Sequence, residues 1–117
     1  MDGIRIIKEK ISLEELKSIA KERYGDMVKG VVDVEQKIMA IGGELHADEE
    51  AFLLDQGSKQ KDLWGISIYA DRPQEESLEF DSVINLRKWQ NNITRGVDDK
   101  NLRDQIKVIV NDLIIWN

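Results

Sequence analysis

The sequence predicts a single α+β domain over residues 1–117, with about five strands in a mainly antiparallel sheet and three helices. Three observations carry that expectation. Strand-like and helix-like segments follow one another in the order β-α-β-β-α-β-β-α, which suits helices laid against one face of a sheet. No internal repeat, low-complexity tract or Gly/Ser linker divides the chain. A length of 117 residues with 41% hydrophobic content is enough to bury one core.

The elements follow in order. Ile4, Ile6 and Ile7 make residues 4–8 a short β-branched strand. Ser12 and Glu15 form a capping box, with Ile11 and Leu16 placed for a hydrophobic staple. The helix they open carries Leu13, Leu16, Ile19 and Ala20 on one stripe and stops at Gly25. Residues 27–41 read as a hairpin turning near Glu35-Gln36-Lys37, with Asp33 facing water among its valines. Apolar residues there fall on both parities, which places the hairpin in mid-sheet, and Gly42-Gly43 ends its second strand.

Asp48 is the expected N-cap of a short second helix ending near Gly57. Residues 64–69 alternate as a half-buried strand, and residues 78–87 as a second. In the latter, Leu78, Phe80, Ile84 and Leu86 would face the core while Glu79, Asp81, Asn85 and Arg87 face out. Asp98 would cap the last helix, residues 99–115. Its core stripe is Leu102, Ile106, Ile109, Val110, Leu113 and Trp116, leaving Val108 and Ile115 on the opposite side.

Composition excludes several functions. Seventeen basic against 23 acidic residues give a net charge of −6, so broad nucleic-acid binding is not expected. With no cysteine, zinc ribbons, thiol nucleophiles and disulfides are absent. The first ten residues lack the apolar run of a secretory signal, and no stretch approaches the roughly 20 apolar residues of a spanning helix. A cytoplasmic location without membrane contact is expected.

Four stretches carry a resemblance. They are Asp26-Met-Val-Lys-Gly-Val-Val-Asp-Val-Glu35, Ile38-Met-Ala-Ile-Gly-Gly-Glu-Leu-His-Ala-Asp-Glu-Glu50, Asp62-Leu-Trp-Gly65 and Phe80-Asp-Ser-Val-Ile-Asn-Leu-Arg87. The chain resembles, over nearly its whole length, a family of small prokaryotic proteins known only as a domain of unknown function. The resemblance implies a stand-alone domain and carries no activity, ligand or residue role.

Two sites and one surface are candidates. Glu44, His46 and Asp48 would project from one side of an extended segment and, with Asp81, offer carboxylate and imidazole ligands to a divalent metal. The plainer reading makes Glu44 and His46 strand-end residues and Asp48 a helix cap. Asp81, Asn85, Arg87 and Arg95 would hold a small anion through their guanidinium groups, or form a solvated face with an Asp81–Arg87 pair. Val108 and Ile115 mark a surface for a second copy or a protein partner, and Trp89, among polar loop residues, is a better candidate for a binding contact than Trp64 or Trp116, with partial packing as its plainer reading. The leading functional expectation is a non-catalytic interaction or ligand-binding module. The alternative is a metal-binding protein or small metal-dependent hydrolase using Glu44, His46, Asp48 and Asp81. No cofactor is expected; a divalent metal belongs to that alternative alone.

Overall fold

The computed structural model describes residues 3–116, so Met1, Asp2 and Asn117 lie outside the described residues. Strand β1 is Arg5–Ile7, and a two-residue strand β2, Ile11–Ser12, leads into helix α1, Leu13–Arg23. The Ser12 hydroxyl accepts the Glu15 amide proton at 3.1 Å, which is half of the predicted capping box; the Glu15 carboxylate pairs with Arg5 at 2.5 Å rather than reaching back to Ser12. Gly25, at φ +89°, carries the chain out of the helix.

Strands β3, Met27–Asp33, and β4, Ile38–Ile41, form the predicted hairpin. Asp33 is 1% exposed rather than facing water. One of its oxygens accepts the Glu35 and Gln36 amides at 2.9 Å each, and the other accepts the Ser58 hydroxyl at 2.7 Å. A carboxylate can stay buried among valines because these donors replace its water.

Helix α2 is His46–Asp55, and β5 is Leu63–Tyr69. After the two-residue strand β6, Leu78–Glu79, come helix α3, Lys100–Leu113, and a short strand β7, Ile114–Ile115. The main sheet runs β1-β4-β3-β5-β6 with every pair antiparallel, so the hairpin lies in mid-sheet. Strands β2 and β7 pair in parallel as a separate ribbon.

Each face of the sheet has its own core. Val28, Val32, Met39, Trp64, Ile66 and Ile68 pack with α1 and α3, whereas Val31, Ile38, Ala40 and Leu63 pack with Leu53 of α2. Helices therefore cover both faces rather than one. That is why β5, expected to be half-buried, is buried at every position but its last.

Three boundaries differ from the sequence reading. Helix α2 starts at His46, with Leu45 and not Asp48 at the N-cap, because the Glu49 carboxyl group accepts the Gly43 amide at 2.9 Å and draws the turn in early. A Cβ on Gly43 would meet Glu49 Cγ at 2.8 Å, so only glycine permits the contact. Asp99 rather than Asp98 caps α3. That helix ends at Leu113, because Ile114 and Ile115 pair with Ile11 and Ser12. No helix among the described residues is long and apolar enough to cross a membrane.

Candidate functional site

The structure disperses the predicted metal ligands. His46 opens α2, so its ring turns onto the sheet and its Nε2–H donates to the Ile66 carbonyl at 2.7 Å. Burial pushes its pKa below the ordinary 6.5. Glu44 points outward, 3.6 Å from Arg23 Nη1, and Asp81 pairs on the surface with Arg95 at 2.7 Å. An extended segment would have aligned Glu44, His46 and Asp48; the helix puts them on different bearings. Among the described residues no three His, Asp or Glu side chains gather closely enough to hold a metal.

The predicted anion clamp is also rearranged. Only Leu78–Glu79 of residues 78–87 is strand, and the chain then makes 3-10 turns at Val83–Asn85 and Lys88–Gln90. Asn85 and Arg87, expected on a polar outer face, are 0% and 2% exposed, while Leu86, expected in the core, is 50% exposed. Arg87 pairs with Glu50 and not Asp81; Arg95 stays outside with Asp81.

Residues 82–98 form a loop partly turned inside out: Asn85, Arg87 and Asn92 lie within while Val83, Leu86, Trp89 and Ile93 face out, with only Ile84 and Val97 of its apolar residues packed inward. Its interior is built on Asn85, whose amide accepts the Gly65 N–H at 2.9 Å and donates to the Gly65 carbonyl at 3.0 Å. The same amide donates to the Arg95 carbonyl at 2.9 Å. Arg87 donates to the carbonyls of Ile84 at 2.9 Å and Gln60 at 2.8 Å, and to that of Leu63. Its guanidinium lies 4.5 Å from the Trp64 ring centre and 6.0 Å from that of Trp89, and its Nη2 is 3.7 Å from Glu50 Oε2. Burial raises the Glu50 pKa and lowers that of Arg87.

Asn92 closes the far side, donating to the carbonyls of Asn85 at 2.7 Å and Gly96 at 2.8 Å. Asp98, expected to cap α3, instead accepts the Ile93 amide at 2.7 Å and the Thr94 hydroxyl. Gly65 lets the loop lie close on β5, since a Cβ there would sit 2.6 Å from Ser82 Cβ. Gly65→Ala is therefore expected to lose about 1–3 kcal/mol of stability in urea unfolding, the usual cost of overpacking.

The exterior follows from this interior. Arg87 and Asn92 bridge in antiparallel fashion, which puts Leu86 and Ile93 side by side on the opposite, outward side. Val83, Leu86, Trp89 and Ile93 are 63%, 50%, 63% and 70% exposed. Residues 82–97 contain three of the 17 cations and none of the 23 acids. The sequence reading found Trp89 but missed Val83, Leu86 and Ile93; the acid-free run was the signal available. Val108 and Ile115 are 60% and 42% exposed, but Ile115 stands on β7 and not on the helix, so the two do not share a helical face.

An antiparallel five-stranded sheet with helices on both faces and an inverted loop at one margin defines a small α+β domain. The chain belongs to the family described as Protein of unknown function (DUF5674), whose model matches residues 5–113. No curated protein and no solved structure matches it.

Proposed function

We propose that the protein is a non-catalytic interaction module that binds a protein partner through the 83–93 loop. The observation that carries this reading is the inversion of the loop. Four large apolar side chains face solvent because Asn85, Arg87 and Asn92 occupy the interior that such residues would normally fill. Their hydrogen bonds hold the loop in one shape before binding, which spares the partner the entropy of ordering it. Arg95 is held by Asp81, whereas Lys88 joins no ion pair among the described residues, so the fitting partner is a segment with apolar side chains and a carboxylate placed opposite Lys88.

The test is a fluorescence titration with a synthetic acidic apolar peptide and its lysine-substituted counterpart. Trp89 is more exposed than Trp64 and Trp116 and should report binding. A saturable blue shift is expected with the acidic peptide only, weakening with salt and by about tenfold in Leu86→Ser. The same substitution should change unfolding free energy by no more than about 0.5 kcal/mol, as for an exposed residue. Equal binding of the two peptides, or none of either, would reject the reading.

A further inference from the structure

We infer that the cleft between β6 and α3 is a binding site for a small organic carboxylate with an aliphatic or aromatic body. The cleft encloses about 500 Å³, within the range of sites for small ligands. Its floor is the half-buried pair Leu78 and Phe80, and its wall is one stripe of α3. Arg103, Lys107 and Asn111 recur there every four residues, so helical geometry stacks all three on the same side.

The polar groups of that stripe are uncommitted where a ligand needs them. Arg103 is anchored through Nη1 to the carbonyls of Val97 at 2.6 Å and Asp98 at 3.2 Å, and its Nε and Nη2 make no hydrogen bond among the described residues. A held guanidinium with a spare donor edge matches the two oxygens of a carboxylate. Lys107 joins no ion pair within 4.0 Å, and the Asn111 amide makes no hydrogen bond, again among the described residues. The residues lining this cleft are two cations and one acid, Glu75, with Asp104 and Asp98 acting on the cations from outside the lining. That surplus suits a single negative charge, and the Leu78–Phe80 floor requires that the rest of the ligand be apolar.

This site shares no apolar contact residue with the 83–93 ridge, so it stands or falls separately. The experiment is an NMR titration of the intact protein, following backbone amides, with octanoate, octanamide and octyl phosphate as probes. Octanoate should give saturable shifts at Leu78, Phe80 and Lys107. Octanamide should bind about tenfold more weakly, since it keeps the chain and loses the charge. Lys107→Glu, at an exposed position without a structural partner, should weaken octanoate to a similar degree while the remaining spectrum is unchanged. The inference is overturned by shifts that do not saturate at the solubility limit, by equal binding of octanamide, by octyl phosphate binding more tightly than octanoate, or by an unaffected Lys107→Glu protein.

Discussion

Replacing Arg87 with methionine is expected to remove about 3–5 kcal/mol of unfolding free energy, the cost of breaking a buried charge pair from one side. The guanidinium is 2% exposed and supplies donors to the carbonyls of Ile84, Gln60 and Leu63 and to Gln90 Oε1 at 3.1 Å. Methionine fills similar volume but leaves those acceptors without a proton and Glu50 without its counter-charge. Small domains hold only about 5–15 kcal/mol in total, so the variant would stand near its unfolding threshold at room temperature. Arg87→Lys should rescue little, because one ammonium cannot span acceptors arranged around a planar fork. Adding Glu50→Gln to Arg87→Met should recover part of the loss, since the stranded carboxylate is then neutral. Urea unfolding of the four proteins decides the matter; a loss below about 1 kcal/mol in Arg87→Met would mean that water reaches the site and replaces the guanidinium.

The second large effect concerns Glu49, which is fully buried. One carboxyl oxygen accepts the Gly43 amide, and the other makes no hydrogen bond. Burial drives its pKa from 4.5 up to about 9, against smaller opposing pulls from the Gly43 amide, Lys29 and Arg23. The folded protein therefore keeps this proton at neutral pH while the unfolded chain has released it. Stability from this group is fully present below pH 4.5 and falls as pH rises toward 9. At about 1.4 kcal/mol per pH unit, the loss by pH 7 is on the order of 3 kcal/mol.

Glu49→Gln cannot ionise and keeps a carbonyl for Gly43. It should match the wild type near pH 4 and exceed it progressively above, by about 3 kcal/mol at pH 7. Asp98 contributes with the opposite sign, because the Thr94 hydroxyl and the Ile93 amide hold its pKa below the ordinary value. Subtracting one stability–pH curve from the other isolates Glu49. Parallel curves would mean that its carboxyl is ionised in the folded protein at neutral pH.

What could be read from sequence was what local chemistry decides. Ser12 and Glu15 announce α1 because both partners of the cap lie within four residues. The mixed parity of residues 28–41 reveals strands covered on both faces, because burial leaves its mark on every position. The misreadings share a cause in contacts that lie outside the local pattern each was read from. Asp48 is a plausible cap until Glu49 reaches back to Gly43. Ile115 continues a helical pattern until Ile11 and Ser12 offer a strand to pair with.

Residues 78–87 alternate like a strand, yet the side chains of Asn85 and Arg87 find partners on β5 and around Gln60 that reward turning them inward. The same reversal sends Leu86 outward. Period alone cannot distinguish a polar residue facing water from one satisfied inside, so the 83–93 ridge was legible only at Trp89.

The attachment of Asn85 and Arg87 to β5 also bears on how the protein resists aggregation. Strand β6 pairs only with Ser67 and Ile68, which would leave the start of β5 with open backbone groups along its outer side. The Leu63–Tyr69 strand is mostly apolar, uncharged and free of proline, the kind of segment that recruits identical strands from other molecules. Arg87 occupies the Leu63 carbonyl and Asn85 occupies both backbone groups of Gly65, so two side chains stand where a neighbouring strand would otherwise dock. A loop whose apolar groups face solvent thus also shields a segment prone to self-association, and damage to its polar interior is expected to lower solubility.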